Sequence, residues 1–167
     1  GAPEEKGFAR LDDGTDLDNG TVLFMQGTVY GEDGKPLPNA KVEVWHANSL
    51  GNYSFFDESQ SHFNLRRSII TDENGNYAFR SIVPLGYSVP PEGMTQKVLG
   101  ALGRHGHRPA HIHFFASADG HRKLTTQINI DGDEYLWDDF AFASREGLVP
   151  EVTMVEDADK LKEKALD

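Results

Sequence analysis

Glu32-Asp33-Gly34-Lys35-Pro36-Leu37-Pro38-Asn39-Ala40 runs straight into Lys41-Val42-Glu43-Val44-Trp45, and this pair of segments decides the fold class. Gly34 can take positive φ while Pro36 and Pro38 fix theirs, so the first segment is a turn. The second alternates with period two, placing Val42 and Val44 on one face of a strand. The same pattern recurs outward in both directions. Val22-Leu23-Phe24-Met25-Gln26-Gly27-Thr28-Val29-Tyr30 is β-branched and aromatic and reads as a buried strand. Thr71-Asp72-Glu73-Asn74-Gly75-Asn76 is a second dense turn, leading into a strand over 77–82. Further strands are expected over 110–116 and 123–130. Short strands separated by Gly/Pro turns indicate an all-β sandwich. The acidic, turn-rich first twenty residues read as a loop. Helical periodicity is confined to 94–102, with Met94, Val98 and Leu102 in register, and 157–166, with acidic residues first and lysines later. Two long segments, 47–69 and 84–109, interrupt the strands, and stretches of that length usually carry function.

Composition removes whole classes of activity. The chain has 167 residues, enough for one domain spanning 1–167, and its 38% hydrophobic content supports a packed core. A formal net charge of −11 argues against nucleic acid or an anionic membrane as partner. There is no cysteine, which excludes disulfides, thiolate zinc sites, iron–sulfur clusters and cysteine nucleophiles. No apolar run approaches the roughly 20 residues of a membrane span and nothing resembles a signal peptide, so the cytoplasm is the default. Gly1-Ala2-Pro3 is an abrupt start, and an upstream segment is expected to have been cut away.

Any metal must therefore be held by His, Tyr, carboxylate or backbone oxygen. The sharpest signal is Arg108-Pro109-Ala110-His111-Ile112-His113. Residues i and i+2 of a strand share a face, so His111 and His113 can offer two imidazoles to one ion. An exposed polar strand face would read the same way. His46, His62, His105, His107 and His121 read as surface or hydrogen-bonding residues. Tyr53 and Tyr87 stand out because each lies in one of the long interruptions, although a loop tyrosine is commonly a buried ring with its hydroxyl tied to backbone. Tyr30, Tyr77 and Tyr135 read as packing residues. A phenolate is a hard anionic donor that suits ferric iron, so two imidazoles with two tyrosinates would specify Fe(III) rather than zinc.

The order Tyr53, Tyr87, His111, His113 resembles the ligand set of the intradiol ring-cleaving dioxygenases. The surrounding words match that family as well: Val44-Trp45-His46-Ala47-Asn48 with Gly51-Asn52-Tyr53, Arg66-Arg67-Ser68-Ile69-Ile70-Thr71-Asp72, Gly103-Arg104-His105-Gly106, Leu124-Thr125-Thr126-Gln127-Ile128 and Trp137-Asp138-Asp139-Phe140-Ala141. The resemblance covers essentially the whole chain and is nearest to the catechol 1,2-dioxygenases. It implies one non-haem Fe(III) per chain, held by Tyr53, Tyr87, His111 and His113, with catechol and O2 as substrates and cis,cis-muconate as product. Hydroxyquinol and chlorocatechol cleavage are the neighbouring alternatives. Tyr87 would take a substrate proton on leaving the iron, Arg108 would stabilise charge developing on the ring, and Gln127 would hydrogen-bond nearby. Phe140 and Ala141 would line an apolar slot, while Arg66 and Arg67 read as structural.

Members of that family also carry an N-terminal helical segment that makes the dimer contact, binds phospholipid and supplies part of the pocket, so the full-length protein is expected to be a homodimer joined through it. An apolar strand after the last helix is expected beyond Asp167 for the same reason. A non-catalytic transthyretin-like sandwich shares the turn-and-strand frame, but lacks the long interruptions and the His-x-His strand.

Overall fold

The Val42/Val44 face is an inner face. A computed structural model describes residues 1–14 and 20–156. Its strands are β1 (Glu4–Lys6), β2 (Phe8–Arg10), β3 (Val22–Thr28), β4 (Lys41–His46), β5 (Arg66–Ile70), β6 (Asn76–Ile82), β7 (Tyr87–Ser88), β8 (His107–Arg108), β9 (His111–Ser117) and β10 (Leu124–Asn129). One helix, α1 (Met94–Ala101), lies between β7 and β8. A five-stranded sheet has the order β1-β5-β4-β9-β10, a three-stranded sheet β2-β6-β3, and β7 pairs with β8 alone. The two larger sheets enclose one apolar core. Val42 and Val44 of β4, Ile69 of β5 and Ile112 and Phe114 of β9 meet Ala9 of β2 and Phe79 and Ile82 of β6 there. Each large side chain so buried stabilises the fold by about 1.5–3 kcal/mol.

The core fixes what the other face of the large sheet carries. On β9, Ile112 and Phe114 point inward, so His111 and His113 must point outward. Antiparallel pairing aligns Arg66 of β5 with Trp45 of β4, Trp45 with His113, and His113 with Gln127 of β10. One row of polar and aromatic side chains thus crosses four strands on the outer face.

Several expectations need correction. The first twenty residues are not all loop: β1 pairs parallel with β5 and β2 with β6. The chain changes sheet at Gly7, whose N–H donates to Ile70 and whose carbonyl accepts from Ala78, with φ at 75°. Three-residue strands are too short for a period of two to register in sequence. The first interruption ends sooner than expected, because β5 begins at Arg66. Tyr30 is exposed rather than packed. Helix α1 forms where periodicity placed it, but Met94, Val98 and Leu102 are 73%, 55% and 66% exposed, and Leu99 is the residue it buries. Gly106 explains the rotation: a Cβ there would meet Val89 and Gln96 and touch Leu99, so the helix docks on the side that the missing side chain opens. The helix expected over 157–166 lies outside the described residues.

Candidate active site

Three donor atoms converge on the outer face of β9. His111 Nε2 and His113 Nε2 are 3.0 Å apart, Tyr53 Oη is 3.1 Å from His113 Nε2 and 3.5 Å from His111 Nε2. Donors lying about 2 Å from one ion at right angles are about 3 Å from each other, so this spacing fits a shared metal. The Tyr87 ring meets Tyr53 edge-on at 5.4 Å and lies 5.6 Å from the His111 ring, and its hydroxyl interacts with Tyr53 and Arg108. The four residues expected as ligands are therefore together.

Local structure holds each in place. His111 Nδ1 donates to the Pro109 carbonyl at 2.7 Å, which leaves the Nε2 lone pair directed at the site. The Trp45 ring stacks on His113 at 4.8 Å and 8°. Asn48 Oδ1 accepts from the Leu50 and Asn52 amides, folding the loop that delivers Tyr53. Tyr87 is delivered by the β7–β8 ribbon, in which it pairs directly with Arg108.

The electrostatics suit a cation. Burial pushes His111 down to about 4, helped by the Arg108 charge. Burial, His111 and then Arg108 and Arg66 push His113 down to about 3. Both imidazoles are thus neutral near pH 7 and able to ligate. Burial, followed by the neighbouring Tyr87, raises the Tyr53 hydroxyl far above the usual phenol range, against the opposing pull of Arg108 and Arg66. Tyr53 consequently keeps its proton unless a strongly Lewis-acidic ion displaces it. Among the described residues no three His, Asp or Glu side chains gather as a metal site. The tyrosines beside the two imidazoles could complete a donor set, and phenolate oxygen favours a hard trivalent ion over zinc.

Arg108 is 9% exposed, with Nη1 3.1 Å from His111 Nε2 and Nη2 donating to Gln127 Oε1 at 2.9 Å. Gln127 therefore touches the arginine and, through Nε2, Asn129. A cavity of about 630 Å³ is lined by Leu50, Leu85, Tyr87, Arg108 and Tyr135 among others, and does not reach His111 or His113. Phe140 is half-buried and Ala141 exposed; neither lines this cavity, and their link to the site runs through Asp139, which grips Arg108. Of the other histidines, His46 is buried and hydrogen-bonded to Ala47 and Ser81. His105 and His107 form a separate cluster with Asp138 and Ser88.

Reading from sequence missed three residues beside this site. Trp45 alternates with Val44 and so faces outward, which is a readable signal for a tryptophan with a partner there. Arg66 lies on the same row as His113 and acts on it electrostatically, although it was read as structural. Asp139 carried no sequence signal beyond its family word.

A family model described as "Dioxygenase" matches residues 1–167. The chain belongs to the intradiol dioxygenase family. Catechol 1,2-dioxygenase 2 of Acinetobacter lwoffii is 72% identical over 156 residues, covering 93% of this chain and 56% of that protein. Catechol 1,2-dioxygenase of Acinetobacter baylyi is 62% identical over 164 residues, covering 97% and 52%. The crystal structure of wild-type Acinetobacter radioresistens catechol 1,2-dioxygenase superposes with a TM-score of 0.96 at 60% identity, covering 100% of this chain and 54% of that one. The chain thus spans about half the length of the curated relatives it matches. Membership of this family sets aside the transthyretin-like alternative. No helix among the described residues is long and apolar enough to cross a membrane.

Proposed function

We propose that the chain is the iron-binding core of an intradiol dioxygenase that opens catechol with O2 between its two hydroxylated carbons to give cis,cis-muconate. The convergence of Tyr53, His111 and His113 within 3.0–3.5 Å, with Tyr87 alongside, is the observation that carries this reading. One non-haem Fe(III) per chain fits the four residues, and would supply Lewis acidity and a template for the diol and O2. Tyr87 is the base for one catechol proton: the β7–β8 ribbon pairs it directly with Arg108, beside Tyr53 and His111. Arg108 directs Nη1 into the site, where a fixed cation stabilises negative charge appearing on the ring. Gln127 supports Arg108 and lies on the row that crosses His113. Phe140 and Ala141 are assigned to the wall of the ring's slot on the family resemblance, their segment being tied through Asp139 to Arg108. The catechol assignment is supported by similarity to catechol 1,2-dioxygenases along its length; a homodimer and a cytoplasmic location belong to the same proposal on the family resemblance alone.

Two measurements on the full-length protein test this. Tyrosinate-to-Fe(III) charge transfer should colour the loaded protein red, and a colourless protein carrying stoichiometric zinc after growth with iron available would refute the ion. The product should be a muconate. A yellow ring-opened semialdehyde would mean cleavage outside the diol and would overturn the reaction.

A further inference from the structure

Arg108 has five N–H groups in a rigid fork. Nε–H donates to Asp139 Oδ1 and one Nη2–H to Asp139 Oδ2, both at 3.2 Å, and Nη2 also donates to Gln127 Oε1 at 2.9 Å. Three donors are thus committed away from the ligands, leaving the pair on Nη1 directed at His111 Nε2, 3.1 Å away. Asp139 itself is buried, its side chain only 1% exposed, and Arg108 is its ion-pair partner. Each of its oxygens also accepts a backbone N–H, Oδ1 from Ala141 at 3.0 Å and Oδ2 from Ala143 at 3.2 Å. The loop so gripped includes Phe142 at φ 54°, a conformation uncommon for a large side chain. Arg104 clamps the same loop from outside, donating to the Phe140 carbonyl at 2.7 Å and lying over the Phe142 ring at 4.4 Å.

We infer that Asp139 is a positioning residue that aims the Arg108 guanidinium at the reacting ring and locks it in register with the 140–143 segment. A bidentate carboxylate leaves a guanidinium no rotation about Nε, whereas a single hydrogen bond to Gln127 would. Because the same two oxygens hold the Ala141 and Ala143 amides, the cation and the proposed slot wall move as one body. Asp139's hydrogen bonds go to Arg108 and to this loop, and it works on the reaction through the arginine that they hold. Its kinetic consequence rests on the ring-cleaving reading above; the pairing itself does not.

The test uses the full-length protein in wild-type form and as Asp139→Asn, Asp139→Glu, Arg108→Gln and the double variant. In iron-free protein, the Arg108 Nε–H resonance should exchange slowly with water and lose that protection in Asp139→Asn. In the loaded enzyme, Asp139→Asn should keep iron and anaerobic catechol affinity while kcat falls about 10–100-fold, the usual cost of losing a residue that orients a site. Added to Arg108→Gln, it should cost less than about twofold more, because its effect passes through the arginine. An equal fold loss in both backgrounds, or normal kcat with iron intact, would overturn the inference. If Asp139→Asn fails to fold, Asp139→Glu decides: its longer arm keeps the charge but displaces the fork, so kcat should still fall with iron retained, and full activity would overturn the inference. A wild-type protein that leaves catechol intact would fail the proposed function alone, with the Nε–H measurement still deciding whether the pair exists.

Discussion

Arg108 and the two β9 imidazoles divide the work of the site, and substitutions should separate their roles. Removing His111 or His113 takes away one of four protein donors and leaves the remainder buried without it, so His111→Ala or His113→Ala should lose most bound iron by elemental analysis. Full iron content in either variant would remove that residue from the ligand set. Arg108→Gln should instead retain iron and colour, because the guanidinium supplies no ligand. Its turnover should drop by roughly 10²–10³, as expected for one preorganised donor acting on charge that appears only during reaction. Near-normal turnover, or loss of iron, would make Arg108 structural. At this scale the sequence was legible where spacing enforces geometry: His111 and His113 share a face because a strand allows nothing else. Tyr53 and Tyr87 were legible as ligands only through family resemblance, since a loop carries no period and the two-residue β7 is too short to show one. Asp139 was not legible, because its partner is 31 residues away and it lies in the irregular segment after β10, which has no period.

The β7–β8 ribbon is the element on which the site depends most directly. It is only two residues wide, yet it sets Tyr87 against Arg108. Gly86 makes it possible: a Cβ there would lie 2.6 Å from the Arg108 carbonyl oxygen, 3.0 Å from Asp133 Oδ2 and 3.2 Å from the Ala110 nitrogen. Two of these neighbours are backbone and cannot swing aside. Gly86→Ala should therefore force the ribbon apart, costing about 1–3 kcal/mol and displacing Tyr87 from its partners. Thermal unfolding should show the loss and iron titration should show weaker binding; an unchanged melting temperature with full iron affinity would contradict this account. The other elements explain which parts of the fold could be read beforehand. β4, β6 and β9 have one face in the core, so their alternation is imposed by burial and visible in sequence. β1 and β2 are short edge strands held by parallel pairing, and β5 opens with Arg66-Arg67, which hides its alternation behind two cations. For α1, the apolar row Met94, Val98 and Leu102 gave the period correctly and the buried side wrongly, because docking was decided by the space at Gly106.

Across the whole molecule, the histidines tie stability to pH. The core is continuous beneath the site, and His46 lies wholly inside it, donating from Nδ1 to the Ala47 carbonyl and accepting at Nε2 from the Ser81 hydroxyl, each at 2.7 Å. Burial, only partly offset by the Ala47 hydrogen bond, pushes its pKa down to about 4. His111 and His113 are pushed the same way. A folded-state value below the ordinary 6.5 means that the unfolded chain binds protons first as the medium acidifies. The stability contributed by these neutral rings is therefore fully present above about pH 6.5 and is lost as pH falls towards the folded values. For His46 alone the full loss amounts to about 3 kcal/mol. The net charge of −11 changes over the same range, and falling self-repulsion works in the opposite direction. A comparison with His46→Gln cancels that shared term, since glutamine does not titrate. In iron-free protein, wild type should lose more stability than His46→Gln between about pH 7.5 and 4, by up to about 3 kcal/mol in denaturant titrations. Parallel pH profiles for the two proteins would show that His46 takes up its proton without unfolding anything, and the coupling of this buried ring to the fold would be wrong.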